Sequence, residues 1–575
     1  MANLRFARAC AVLTAPLYLS LLSSGTLYAD TPEKNEQQQP VAQIVVTGTR
    51  LEDTLESSAS SVSVVSESDL EDGQYRNAID ALQQVPGIDI VQSGGNGGNA
   101  SIFTRGGNSE HTLILLDGVE LNNPATANRV YNMANLTLEN IERIEVIRGP
   151  QSTIYGSDAM GGVINLISKR AKPGVNATVS SEAGSYNSFT QLGSLSYGSE
   201  VFDLSTGITR QDIGGISAAS ASDGNKEQDD YQNTSFSNRM RLAPVKWIEA
   251  NNTLRVTRSN SDLDNRGGVG GDDPNRRINN EEFFTRGEVL AKLLEETLTP
   301  SAYISYSRHS LNDTNSPDLA SADLLDSAFN GDLVTVGAQS KWRPSRAVSA
   351  VLGAETQAER ADSWYRSDGA FGPYQDELYG EQARTNSFFG EARLSHDDKL
   401  YLDTGLRHDA HSIFGERTTF KVAPAVIIVE GTKLRGSVGT GFKAPSLVQL
   451  YSSYGNRELD AETSTGWDLG IDQDIIKDTL SSSLTLFRND YRELITFNPS
   501  TFILENIDDS RTQGIELSSN LKVSDELSTR LAYTYPDTEN ETTGESLLRR
   551  PRNKSSLTLV YAPGERFRAQ AQWRL

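Results

Sequence analysis

The chain has 575 residues, a formal net charge of −23, 47 glycines and a mean hydropathy of −0.44. Such an acidic balance, with no basic stripe to neutralise phosphates, argues against a nucleic-acid partner. No run of the ~20 apolar residues that a spanning helix needs follows residue 29, and the single cysteine, Cys10, leaves residues 30–575 without a disulfide.

Residues 1–29 read as a secretory leader: Arg5 and Arg8 precede the apolar stretch Ala9–Leu22, and Leu27-Tyr28-Ala29 offers a cleavage site. Residues 30–41 are polar and read as disordered. Ala42, Gln43, Ile44, Val45, Val46, Thr47, Gly48 and Thr49 then spell a β-prone segment, AQIVVTGT, whose backbone groups need a strand partner. Either another protein or residues further along the chain could supply it.

Residues 50–173 read as a compact α/β domain. Asn77 is placed to cap a short helix carrying Ala78, Ile79 and Leu82, stopped by Pro86-Gly87. A strand, Ile88–Val91, leads into the loop SGGNGGNASIF. Its glycines would let the backbone approach a bulky ligand and its amides would bond a polar rim; the plainer reading is a flexible turn. Three strands follow, Leu113–Leu116 into the Asp117-Gly118 turn, Arg143–Ile147 into Gly149-Pro150, and Val163–Ile167 after Gly161-Gly162.

From residue 174 to 575 alternation takes over. Leu400, Leu402, Thr404 and Leu406 alternate with Tyr401, Asp403, Gly405 and Arg407, and Phe567 to Leu575 repeats the pattern. Successive side chains in a strand face opposite ways, so each stretch has one lipid-compatible and one wet face. A soluble sandwich alternates too. Segment length, Tyr-rich flanks and the long loops 219–233 and 259–280 favour a large transmembrane antiparallel β-barrel, which averages to a hydrophilic composition. About 400 residues at roughly twenty per strand and loop give about twenty strands.

Catalysis finds no support. His408 and His411, the one close histidine pair, fall on opposite faces of a strand; Gly436–Lys443, GSVGTGFK, alternates as a strand and lacks phosphate-loop order. No GxSxG elbow is present. The chain reads as a non-enzyme.

Two long words, RGGNSEHTLILLDGVELNN and IERIEVIRGPQSTIYGSDAMGGVINLISKR, resemble the plug domain of TonB-dependent outer-membrane receptors. Gly441–Gly470, GFKAPSLVQLYSSYGNRELDAETSTGWDLG, and the stretch FRNDYRELITF followed by NIDDSRTQGIE resemble the cobalamin receptors of that family. The resemblance covers nearly all of residues 42–575. It implies a barrel of the 22-strand type filled by an N-terminal α/β plug, in the outer membrane of a Gram-negative cell, contacting lipid and working as a monomer. It also implies import of cobalamin, vitamin B12, driven by the TonB energy-coupling protein, with residues 42–49 as the TonB box that adds to that partner as an edge strand.

Carried over residue by residue, the resemblance places cobalamin contacts at Asn99, Ala100, Ser101, Ile102, Phe103, Asn108, Thr126 and Ala127 in the plug and at Arg511 in the barrel. It places calcium on Asn225, Glu227, Asp229, Asp262 and Asp273, where carboxylates crowd two loops and a hard cation would order them. An aspartate expected upstream is Ser217, and a solvated acidic loop is the other reading. The chain stops at Trp573-Arg574-Leu575 inside an alternating run, so the last strands of the family pattern are expected to be missing. A ferric-siderophore or other corrinoid receptor is the alternative function. A passive porin or adhesin is a third, which deletion of residues 42–49 would distinguish.

Overall fold

The computed structural model describes residues 44–45, 50–51, 53–265, 268–318, 321–369, 372–564 and 567–575. The leader, the 30–41 segment and, apart from Ile44 and Val45, the 42–49 segment lie outside the described residues. β1 (Ile44–Val45) pairs antiparallel with β2 (Asp53–Thr54) through Ile44 opposite Thr54 and Val45 opposite Asp53.

The N-terminal domain continues with β3 (Ser61–Val65), α1 (Glu67–Asp72), α2 (Ala78–Leu82), β4 (Ile88–Gln92), β5 (Ala100–Thr104), β6 (Thr112–Leu116), β7 (Val119–Glu120), β8 (Ile141–Arg148), α3 (Ser152–Tyr155) and β9 (Gly162–Ser168). One sheet runs in the order β3-β8-β9-β6-β7, and β6 lies parallel to β9. Both of those strands are buried along their whole length, which is why their sequences are apolar runs and not alternations. Asp117 and Gly118 both take positive φ (47° and 81°), the requirement of a two-residue I′ hairpin, and so join β6 to β7.

Three local expectations are corrected. Asn77 stands at the start of α2 but its side chain caps nothing; its backbone carbonyl takes the Asp80 N–H at 3.2 Å, and the Ala78 N–H donates to the Leu136 carbonyl at 2.9 Å. Ala100–Phe103 are not loop: they form β5 in a hairpin with β4, where Ala100, Ile102 and Phe103 are buried. Helix α1 was not anticipated, although Ser66 and Asp69 spell its capping box, each side chain bonding the other's backbone N–H at 3.3 and 2.9 Å. Ser66→Ala is expected to cost about 1 kcal/mol. Amide exchange across Glu67–Asp72 should quicken accordingly, and unchanged exchange would deny the cap its role.

The remainder of the chain is one antiparallel sheet of nineteen strands in sequence order, from β10 (Gly174–Gly184) to β28 (Ala569–Arg574). Among the described residues β10 and β28 do not pair with each other. Alternation holds: Leu400 and Leu406 are exposed while Asp403, Arg407 and Asp409 are buried, and Trp467 and Leu469 point outward while Ser464 and Asp468 point in. His408 is half-buried and His411 buried, on opposite faces as expected. Gly436–Lys443 is strand, within Thr432–Lys443. No described helix is long and apolar enough to cross a membrane.

Several strands, such as Val348–Asp368 and Tyr374–His396, exceed the roughly 9–11 residues that span a bilayer and so project beyond it. At that end the connections are long, 214–230, 263–276 and 444–461; at the other they are tight turns such as 246–247 and 430–431. The second of these loops is shorter than the sequence suggested, because the ladder between Ile248–Asp262 and Arg277–Ala291 extends into it, whereas the first is displaced toward the N-terminus and runs 214–230.

The N-terminal domain fills the lumen. Its side chains and backbone meet strands all around the ring: Asn140 bonds the Ser205 carbonyl, Asn233 the Asn135 carbonyl, Arg255 the Thr137 carbonyl, Lys421 the Gln151 amide, and Lys433 the Leu55 and Ser58 carbonyls. The firmest tie is Arg105, 1 % exposed, whose guanidinium grips Glu516 with two bonds of 2.9 Å and Asp468 with one of 3.2 Å, over the ring of Phe487. It is built from β5's exit and two barrel strands distant in sequence.

Candidate ligand cavity and acidic loops

Above the N-terminal domain, on the long-loop side, lies a cavity of about 1290 Å³. Its base is the tip of the β4–β5 hairpin and the 123–135 segment; its walls are inward faces of barrel strands. Gly97 needs its glycine for a reason the sequence did not reveal: φ is +75°, and a Cβ there would fall 2.2 Å from Ser261 Oγ and 2.5 Å from the Tyr231 ring. The missing side chain lets the loop press against the barrel wall.

Chemically the lining is amide-rich and poor in positive charge. Among the described residues eight asparagines and four tyrosines face it, with Glu282, Asp323, Asp368 and Asp376, while Arg276 is the one described Lys or Arg of the lining and already holds Asp313 at 3.1 Å. The word GFKAPSLVQLY shapes one side. After strand Thr432–Lys443 the chain folds inward as α4 (Leu447–Tyr451), capped by Ser446 and Gln449; Val448, Ser452 and Tyr454 reach the cavity, and the Ser446 hydroxyl donates to the Ala127 carbonyl at 2.6 Å.

The nine cobalamin contacts implied by resemblance do not converge. Asn99, Thr126 and Ala127 line the cavity. Ala100, Ile102 and Phe103 are buried in the hairpin, with Ser101 half-buried in the same strand. Asn108 accepts from Arg550 at 2.6 Å, and Arg550 also lies over the Phe103 ring at 4.2 Å, a clamp between plug and barrel that is absent from the cavity lining. Arg511 is engaged by Glu539 and Glu541. Sequence reasoning missed the lumen side of the wall, Asn280, Glu282 and His309 among it. The available signal was polar residues recurring every second position in strands whose other face is apolar.

The acidic loops do converge, on a different set. Carboxylate oxygens of Glu227, Asp264 and Asp272 lie within 4.8 Å of one another. Glu227 Oε2, Asp229 Oδ1 and Asp264 Oδ1 are buried without a hydrogen-bond partner among the described residues. Burial, and then the neighbouring carboxylates, push Glu227 up to about 7; burial pushes Asp229 up to about 6. Ser217 Oγ donates to Asp264 at 3.1 Å and to Asp272 at 3.0 Å, so the serine sits inside the cluster.

The other residues of the expected calcium set are occupied elsewhere. Asn225 ties the loops by accepting from the Gly271 N–H, Asp262 pairs with Arg277 at 2.7 Å at the end of its strand, and Asp273 turns inward to accept from Asn315 at 2.7 Å.

Residues 168–575 match the family model described as TonB dependent receptor-like, beta-barrel, and residues 54–163 match the TonB-dependent Receptor Plug Domain. Among solved structures, the chain is similar to the ferric yersiniabactin uptake receptor FyuA from Yersinia pestis, with TM-score 0.74, 15 % identity, and coverage of 90 % of this chain and 85 % of that one. A mutant of the ferric enterobactin receptor PfeA from Pseudomonas aeruginosa gives TM-score 0.74, 20 % identity and coverage of 92 % and 87 %. The siderophore receptor PirA from Acinetobacter baumannii gives 0.72, 20 %, and 88 % and 85 %.

Proposed function

Because the chain belongs to the TonB-dependent receptors, outer-membrane β-barrels with an internal plug that move ligands without chemistry, we propose that its cargo is a bulky uncharged metal chelate bearing carboxamides, of the corrinoid class to which cobalamin belongs. The cavity lining carries this reading. Its volume exceeds the roughly 300–1,000 Å³ of ordinary small-molecule sites, and its asparagines match ligand amides as donors and acceptors. Among the described lining residues, an anionic chelate leaving water would meet four carboxylates and one guanidinium, already paired.

The names of the similar structures favour a second reading, a ferric siderophore, which this lining would restrict to uncharged chelates. Equilibrium competition between cyanocobalamin, a neutral ferric hydroxamate and an anionic ferric catecholate separates them. Cyanocobalamin should bind and the catecholate should not displace it. Binding of a ferric chelate alone would overturn the corrinoid reading.

The same proposal extends to calcium at the loop tips. Glu227, Asp229, Asp264 and Asp272 supply oxygens of the kind Ca²⁺ takes, and the orphaned atoms among them fit a cation. A bound ion there would offset two of the four negative charges of the cluster and order the loops over the cavity. The carboxyl of Glu227 rises from 4.5 to about 7 and that of Asp229 from 3.8 to about 6. The folded loops therefore hold protons that unfolded loops release, and their stability falls as pH rises through that window. Calcium replaces those protons, so its affinity rises with pH. At pH 7.5 calcium is expected to slow amide exchange in 214–230 and 268–276 strongly, and at pH 5 weakly; no effect of calcium at pH 7.5 would remove the ion from the account.

A further inference from the structure

The strand Leu298–Asn315 turns His309, Leu311 and Asn315 toward the cavity. His309 and Asn315 are each 2 % exposed. The imidazole is held by edge contacts with Phe284 and Tyr131, ring centroids 5.2 and 6.1 Å away, and its Nε2 has no hydrogen-bond partner among the described residues. Asn315 spends its Nδ2 on Asp273 at 2.7 Å, which fixes the amide and leaves Oδ1, also without a partner, as an acceptor.

Three other asparagines of the lining use their carbonyl oxygens to hold the plug and its seam with the barrel. Asn123 Oδ1 holds the Ala125 N–H, Asn132 Oδ1 holds those of Ala100 and Ala134, and Asn135 Oδ1 holds the Tyr231 hydroxyl. Buried polar atoms left unpaired destabilise a protein, and two on one strand beside one cavity form an unspent recognition capacity.

We propose that His309 and Asn315 are the specificity-determining pair of this cavity, hydrogen-bonding two separate polar groups of one ligand. Asn315 Oδ1 accepts an amide N–H or a hydroxyl; His309 Nε2 donates to a carbonyl or accepts from an N–H, according to its tautomer. Six residues of strand separate them, roughly 20 Å at about 3.3 Å per residue. A ligand of ordinary size reaches one of the two; a corrinoid with amides around its rim and a nucleotide arm reaches both, with Leu311 against its apolar edge. The inference rests on the corrinoid reading above and deepens it.

The test is cyanocobalamin binding to the full chain in detergent with calcium, for wild type, His309→Leu, Asn315→Leu and the double variant. Each single change is expected to weaken affinity about tenfold and the pair about a hundredfold. His309→Gln, which restores an amide near Nε2, should recover most of the loss. Asn315→Ser, whose shorter side chain keeps a polar donor but draws its acceptor oxygen back from the ligand, should behave as Asn315→Leu, separating recognition from loop collapse.

With a corrinoid lacking the nucleotide arm, one of the two variants should lose its effect, a result that a purely structural role could not give. Wild type that binds no corrinoid overturns the ligand class. Wild type that binds while the variants bind equally well overturns this inference alone, and assigns both free atoms to ordered water.

Discussion

Glu516→Ala is expected to loosen the plug by about 3–5 kcal/mol, the cost of breaking a buried ion pair by removing one partner. Glu516 holds Arg105 with two bonds and lies 3.5 Å from the Arg148 guanidinium. Without it Arg105 keeps Asp468 and Ser61, and Arg148 keeps the Pro86 carbonyl and Ser61. Two guanidiniums buried in the plug–barrel seam then share too little negative charge.

The barrel ladder does not pass through this contact, so the damage should be confined to the plug. Amide exchange in β3 and β8 should rise steeply while barrel strands stay protected, and large hydrophilic antibiotics should enter cells more readily. Glu516→Gln, which keeps an acceptor and loses the charge, should fall between. Wild-type exchange and permeability in Glu516→Ala would show that the plug is anchored elsewhere.

Val45→Pro is expected to reduce uptake to background while leaving equilibrium ligand binding unchanged. In the resting chain Ile44–Val45 is held by a two-residue ladder to Asp53–Thr54, little to give up when a stronger strand partner arrives. Proline at position 45 removes a backbone N–H that such pairing requires. Among the described residues the cavity lining includes nothing from this segment, and binding is expected to stay unchanged. Radiolabelled ligand uptake into cells, set beside binding to outer-membrane fragments, checks both halves. Undiminished uptake would detach residues 42–49 from energy coupling and favour a passive channel.

Much of the architecture was legible in the chain itself. β6, β8 and β9 were readable because strands buried on both faces must be apolar throughout and their turns need Asp117-Gly118 or glycine pairs. The barrel was readable because a sheet between lipid and plug must alternate. Less legible was β5, whose residues follow a glycine-rich loop and gain strand identity only by pairing with β4. Asn77 matched the capping preference, yet its own backbone carbonyl takes the Asp80 N–H and its side chain caps nothing.

The sites divide in the same way. Sequence alone determined a compact N-terminal domain with apolar strands, an alternating barrel and two acidic loops, since these follow from local patterns of apolarity and charge; that the one fills the other was implied only by resemblance to the family. Only the tertiary structure decided which acids meet. Asp262 and Asp273 were as plausible as Asp264 and Asp272, but Asp262 closes its strand beside Arg277 while the other three lie in the loop 263–276, whose path brings Asp264 and Asp272 into the carboxylate cluster and turns the neighbouring Asp273 to Asn315. The cavity was likewise hidden, because its wall joins side chains from strands hundreds of residues apart, and their sharing of one space is fixed by ladder register and by where the plug sits, neither of which any short word of sequence encodes.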